Sequence, residues 1–251
     1  MTGLLASVAT VGEARVAFDG GADLIDLKDP AAGALGAWSM PAIRRAVRAI
    51  GGRRPLSATI GDGVADAGAV AQRTAATGAQ GIDYVKVGFF PGYDHRALAE
   101  ALAGEAAHGT RIVAVLFADS HPDFALLDRL AGCGFTGAML DTADKRGASL
   151  RDCLDDARLG RFVDDARRRG LLVGLAGSLS RADVAPLVRL NPDYLGFRGA
   201  LCEAGRRESR FDSARLAALR ASIPRAATAP ITARPPATPA PRPARTAPPL
   251  P

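Results

Sequence analysis

Short apolar runs separated by amphipathic stretches set the rhythm of this chain. The runs at 4–8, 23–28, 56–60, 84–88, 112–118, 137–142, 171–177 and 194–199 are rich in Val, Ile and Leu and only a few residues long, which predicts eight buried strands. Between them the pattern turns to helical spacing at 41–50, 95–107, 124–131, 155–169, 181–190 and 213–223, several of these preceded by Asp, Ser or Thr suited to capping. Strands alternating with single helices pair in parallel through right-handed crossovers. Eight such units in about 220 residues predict an α/β fold of one TIM (β/α)8 barrel. A doubly wound open sheet is the alternative, but no Gly-x-Gly-x-x-Gly or Walker loop follows any strand.

The rhythm stops near residue 223. Ten of the 17 prolines fall in the last 28 residues, mixed with Ala, Thr and Arg. Such a composition buries too little apolar surface to offset the entropy of ordering it. The expected organisation is therefore a catalytic barrel over 1–223 and a disordered, partly polyproline tail over 224–251.

Composition then narrows the function classes. At 48% hydrophobic the chain can build a sizeable core. Its net charge of +6 includes Arg225, Arg234, Arg242 and Arg245 in an acid-free tail, so 6 − 4 leaves the rest at +2. Its arginine runs lack interleaved aromatics, which argues against a nucleic-acid partner. Cys133, Cys153 and Cys202 are odd in number and follow no ligand spacing, so neither a disulfide framework nor a metal site is expected. No apolar stretch is long enough to span a membrane and no secretion signal opens the chain, which predicts a cytoplasmic protein without a membrane partner. Assembly as a homo-oligomer is left open.

The chemistry concentrates in lysine. Only three of the 32 basic residues are lysines, Lys28, Lys86 and Lys145, and each lies at or just beyond the end of a predicted strand. A guanidinium stays protonated at any working pH, whereas a lysine can be desolvated to a neutral amine that attacks a carbonyl. Period-two alternation puts Asp26 and Lys28 on one inward face of the second strand and Lys86 on that of the fourth, and the sixth ends in Asp141 with Lys145 just after it. In a barrel these strand ends converge on one mouth. Clustered cations depress one another's pKa, so that one amine can act as nucleophile while another serves as acid or phosphate partner. A plain buried ion pair plugging the barrel would use the same residues.

Small residues after the seventh and eighth strands, Gly177-Ser178 and Arg198-Gly199, occupy the position where barrels commonly hold a phosphate on backbone amides. These four are the expected phosphate contacts. His121 is a weaker general-base candidate, because the Asp119-Ser120-His121 run reads equally well as a cap. His95 and His108 read as solvated on a surface helix.

Taken in order, the runs Gly20 through Pro30, Gly33 through Ala37, Ser57 through Asp62, Asp83 through Gly88, Ala138 through Thr142, Leu175 through Ser178 and Gly196 through Cys202 resemble a known family. It is that of the (5-formylfuran-3-yl)methyl phosphate synthases, also called 4-(hydroxymethyl)-2-furancarboxaldehyde-phosphate synthases, of methanofuran biosynthesis. The resemblance implies that two molecules of glyceraldehyde 3-phosphate condense to a phosphorylated furan aldehyde with loss of phosphate and water. It further implies a Schiff base at Lys28, proton transfer by Lys86, assistance from Asp26, Asp141 and Lys145, and no metal or organic cofactor. A class I aldolase acting on another sugar phosphate would use the same imine. A basic binding protein without catalysis is the alternative from another class, and the strand-end lysines with paired aspartates speak against it.

Overall fold

The computed structural model describes residues 1–63, 66–145 and 147–224, so the proposed tail lies, beyond Pro224, outside the described residues. Eight strands close a parallel barrel in sequence order: β1 (Gly3–Val8), β2 (Leu24–Leu27), β3 (Leu56–Thr59), β4 (Tyr84–Phe89), β5 (Ile112–Phe117), β6 (Gly137–Asp141), β7 (Leu172–Leu175) and β8 (Tyr194–Phe197). Helices α1 (Val11–Asp19), α2 (Met40–Ile50), α3 (Ala67–Gly78), α4 (His95–Ala107), α5 (Leu126–Gly132), α6 (Leu150–Cys153), α7 (Asp156–Arg168), α8 (Val184–Arg189) and α9 (Ser213–Ser222) occupy the connections and the end of the described chain.

The helix starts follow the expected capping chemistry. Asp66, Asp94, Asp155 and Asp212 each accept backbone N–H groups of the first turn of α3, α4, α7 and α9, and Thr10 does so for α1. The pattern at 181–190 resolves into a 3-10 turn (Arg181–Asp183) running into the short α8. Helices α1 and α3 carry no distinct apolar stripe. The first begins Val-Gly, and the second buries Val70, Thr74 and Thr77 among alanines and glycines, so small residues do the packing without a readable period.

Alternation along the strands divides the interior in two. Outward residues such as Leu4, Ile25, Val85, Ala114, Leu140 and Val173 join the helices in the larger core. Inward residues form a second core of Leu5, Leu24, Tyr84, Val113, Val115, Phe117, Met139, Leu172 and Tyr194. Tyr194 fills the lower barrel so completely that a Cβ at Gly174 would come within 2.3 Å of its ring. At the upper end Ala176 and Gly196 are small, and the space that they leave opens into the mouth.

The strand starts share a device on the opposite face. Asp23, Asp83 and Asp193 precede β2, β4 and β8 and accept the N–H of Leu4, Leu56 and Val173 on the neighbouring strands at 2.8, 2.9 and 2.7 Å. Each fixes the lower rim, far along the strands from the mouth.

Candidate active site

Register alone assembles the deepest part of the site. Ser7 on β1, Asp26 on β2 and Ser57 on β3 are lateral partners, so their side chains stand in a row inside the barrel. The Asp26 carboxylate accepts the Ser7 hydroxyl at 2.8 Å and the Ser57 hydroxyl at 2.6 Å. Its remaining partner is Lys86 of β4, with Nζ 3.0 Å away. All four groups are buried. A fully buried charge pair persists only when its other hydrogen-bonding positions are filled, and the two serines fill them.

The second cluster lies at the end of β6. Asp141 accepts Lys145 Nζ at 2.5 Å and the backbone N–H of Thr142 at 2.8 Å through Oδ1, while Oδ2 stands 3.6 Å from Lys28 Nζ. Asp26 and Lys28, which share the inward face of β2, pair across the barrel rather than with each other, Asp26 with Lys86 and Lys28 with Asp141. The barrel's curvature brings β4 and β6 side chains closer than residues two apart on one strand. Lys28 has the longest ion-pair distance of the three lysines and lines the cavity.

The electrostatics follow from this arrangement. Burial pushes the Asp26 carboxyl up, but Lys86, Lys28 and the Ser57 hydroxyl outweigh it and hold the group below the usual carboxylate range. Asp141 is driven the same way, with burial opposed by Lys145 and Lys28. Both carboxylates are therefore ionised at any working pH. Burial lowers the Lys86 ammonium, with Asp26 pulling back up and Lys28 adding to the lowering. Lys145 is lowered to about 8 by burial, against the attraction of Asp141, with Lys28 and Arg207 adding like-charge repulsion. Such an amine exchanges its proton near neutral pH.

These groups open into a cavity of about 1270 Å³ above the strand ends. All the residues proposed as phosphate contacts line it. Gly177 and Ser178 turn away from β7 at φ 111° and 50°, and Ser178 is one of four non-glycine residues at positive φ among the described residues, a strained conformation of the sort that clusters at functional sites. A Cβ at Gly177 would press within 3.0 Å of Thr142. Gly199 has a different reason to be glycine: a Cβ there would lie 2.8 Å from the Gly205 carbonyl, so the loop after β8 packs directly on it.

Arg198 requires a correction. Although it lines the cavity, Nε donates to the Arg207 carbonyl at 2.7 Å, Nη1 to the Ser7 carbonyl and to Glu13, and Nη2 to Glu13 at 3.4 Å. Four of its five N–H groups are committed, because Glu13 at the start of α1 reaches the same spot while also accepting the Ala9 N–H at 2.7 Å. The side chain braces the first and last units of the barrel, and a phosphate would find little of it free. Arg207, which the sequence pattern did not single out, also lines the cavity on this side.

His121 caps a 3-10 turn at φ 50° and is exposed, outside the cavity lining. The turn's work is done by Asp119, whose carboxylate accepts the N–H groups of Ala143 and Asp144 at 2.8–2.9 Å and so holds the segment that carries Lys145. His95 is more than a solvated surface group: its ring packs edge-on against Phe89 and bonds the Phe90 carbonyl. Among the described residues no group of three or more His, Cys, Asp or Glu is placed to hold a metal, and no helix is long and apolar enough to cross a membrane.

A closed parallel barrel with lysines and aspartates gathered at the C-terminal ends of its strands places the chain among TIM-barrel enzymes. Solved structures agree on the fold: a 3-hexulose-6-phosphate synthase superposes with a TM-score of 0.64 at 18% identity, covering 89% of this chain and 100% of that one. A phosphoribosyl anthranilate isomerase from Thermus thermophilus gives 0.60 at 15% identity, covering 88% and 98%. Residues 4–220 match the 4-HFC-P synthase family. The (5-formylfuran-3-yl)methyl phosphate synthases of Methanopyrus kandleri and Methanothermobacter thermautotrophicus are 38% and 36% identical, covering 81% and 82% of this chain and 91% and 92% of theirs. The chain belongs to the 4-HFC-P synthase family, enzymes of methanofuran biosynthesis.

Proposed function

We propose that this protein condenses two molecules of glyceraldehyde 3-phosphate to 4-(hydroxymethyl)-2-furancarboxaldehyde phosphate through a Schiff base at Lys28. The observation that carries the reading is the unequal holding of the three lysines. Lys86 is locked to a serine-anchored Asp26 at 3.0 Å and Lys145 is held by Asp141 at 2.5 Å, whereas Lys28 stands 3.6 Å from its carboxylate at the cavity wall. The least tethered amine facing the cavity is the one placed to reach a carbonyl.

An imine at Lys28 makes the adjacent C–H acidic. Lys86, with its ammonium pushed down by burial, removes that proton when neutral and returns it when charged. The resulting enamine forms the new carbon–carbon bond to the aldehyde of the second triose. Loss of one phosphate and two waters, with hydrolysis of the imine, balances the atoms without any oxidant. Lys145 supplies protons to departing oxygens, and Asp141 holds both Lys28 and Lys145 in place as their shared anion. The turn at Gly177 and Ser178 and the backbone at Gly199 offer N–H groups to a substrate phosphate. The active domain spans 1–223, and the cell compartment expected for it is the cytoplasm.

Incubation of the purified protein with glyceraldehyde 3-phosphate should give a product with the mass and ultraviolet absorbance of the furan aldehyde phosphate. Borohydride added during turnover should trap an adduct that maps to Lys28. Lys28→Arg keeps the charge but cannot become a neutral nucleophile, so it should fold, give no adduct and make no product. Turnover by Lys28→Arg, or an adduct mapping to Lys86 or Lys145, would overturn the assignment.

A further inference from the structure

The loop after β8 lines the mouth and holds Arg207 firmly within it. Its ends are closed by an antiparallel bridge between Cys202 and Phe211 and by the Glu203 N–H donating to the Arg210 carbonyl at 2.9 Å. Within it the Ser209 N–H returns to the Arg206 carbonyl, a tight turn that has Arg207 inside it. The Arg207 carbonyl accepts Nε of Arg198, and the Gly205 backbone lies against Gly199, so the loop is pinned to the barrel on both sides of Arg207. The guanidinium then reaches across the mouth to the β2 loop, where Nη2 donates to the Gly33 carbonyl at 2.8 Å. That loop is itself fixed, because Asp62 accepts the N–H groups of Ala34 and Leu35 at 2.6 and 2.8 Å. Among the described residues this is the guanidinium's single hydrogen bond, and the group is half-buried at the wall of the cavity, near enough to Lys145 to repel its charge.

We infer that Arg207 is a phosphate anchor of the site, a preorganised guanidinium at the rim that grips the phosphate of a triose phosphate entering the mouth. The inference rests on the reading of the substrate as a phosphorylated aldehyde. Condensing two such molecules puts two dianions into one cavity. Backbone amides at Gly177 and Ser178 can serve one, and Arg198 is committed to Glu13. Of the other arginines lining the cavity, Arg181, Arg206 and Arg215 are exposed, whereas Arg207 is half-buried with donors to spare, and a planar guanidinium suits the bidentate geometry of a phosphate. Burial pushes this guanidinium down even though the Asp141, Glu208 and Asp62 carboxylates attract its charge, so an arriving anion still meets an incompletely compensated cation.

Equilibrium binding of inorganic phosphate, followed by calorimetry, tests the site without relying on the reaction, and steady-state kinetics tests its use. Arg207→Ala and Arg207→Gln should both weaken phosphate binding and raise the KM for glyceraldehyde 3-phosphate by about 10- to 100-fold, the range for losing a charge-assisted hydrogen bond. Arg207→Lys should recover part of the loss. Borohydride trapping of unphosphorylated glyceraldehyde at Lys28 should be the same in all four proteins. A glutamine can still donate to the Gly33 carbonyl, so wild-type behaviour in Arg207→Gln would show that bracing the loop is all Arg207 does and would overturn the inference. Equal losses with glyceraldehyde and its phosphate would overturn it too. Phosphate binding that depends on Arg207 in a protein that makes no furan would leave the anchor standing and remove the proposed reaction instead.

Discussion

Lys145 shows how burial and charge divide the work among three amines that look alike in sequence. Its proton leaves near pH 8 in the folded protein, against 10.5 for the free side chain. If it donates protons during elimination, turnover should fall along a limb centred near pH 8 as the donor is lost. Lys145→Arg keeps a proton throughout, so this limb should vanish from a profile of kcat between pH 6 and 10, whatever the residual rate. A limb unchanged in the variant would assign it to another group. Stability moves the other way. The unfolded chain holds the proton to about 10.5 and the folded one only to about 8, so between these values the unfolded state binds more protons. Raising the pH through that window therefore removes a penalty on folding of on the order of 3 kcal/mol, and lowering it through 8 restores that penalty. Denaturant midpoints of Lys145→Met should rise less between pH 8 and 10 than those of the parent.

At the level of elements, the two ends of the strands are expected to answer differently to the same kind of change. Asp193 at the lower rim accepts the Val173 N–H at 2.7 Å, whereas Asp119 at the upper rim holds Ala143 and Asp144. Asp193→Ala should cost about 1–3 kcal/mol of stability and leave kcat within a factor of two, since it uncovers a backbone donor far from the cavity. Asp119→Ala should cost less stability, because Asp144 is exposed and water can replace the carboxylate there, yet lower kcat more by releasing the segment that carries Lys145. Melting curves and initial rates on the two variants check this, and the reverse ordering would mean that the loop after β6 is held by something other than Asp119. The same contrast explains what the sequence made legible. The eight strands stood out because each is a continuous apolar run buried on both faces, and Asp26, Lys28, Lys86 and Asp141 stood out because a charge in such a run is conspicuous. Helices α1 and α3 did not, since alanine, glycine and threonine pack without an apolar stripe. The bracing of Arg198 was not legible, because what consumes its guanidinium is Glu13, distant in sequence by most of the barrel. No local pattern carries that contact.

For the molecule as a whole, we propose that the chain beyond the closed barrel is dispensable. Closure is complete once β8 pairs with β1, and α9 then covers the seam, with Leu216 and Leu219 buried and Arg220 bound to Asp23. The match to the family ends at residue 220, within that helix. All the residues proposed for the chemistry precede Pro224, and residues 225–251 add prolines and four arginines to a chain whose net charge without them is 6 − 4 = +2. Deleting residues 225–251 should leave kcat and KM for glyceraldehyde 3-phosphate unchanged and move the melting temperature by less than about 3 °C, equivalent to roughly 1 kcal/mol for a domain of this size. Retention on a polyanionic matrix at low salt should weaken, because four positive charges are gone. A larger loss of thermal stability would show that the segment packs on the barrel. A rise in KM for the phosphorylated substrate, without loss of stability, would show instead that its arginines draw anions toward the mouth.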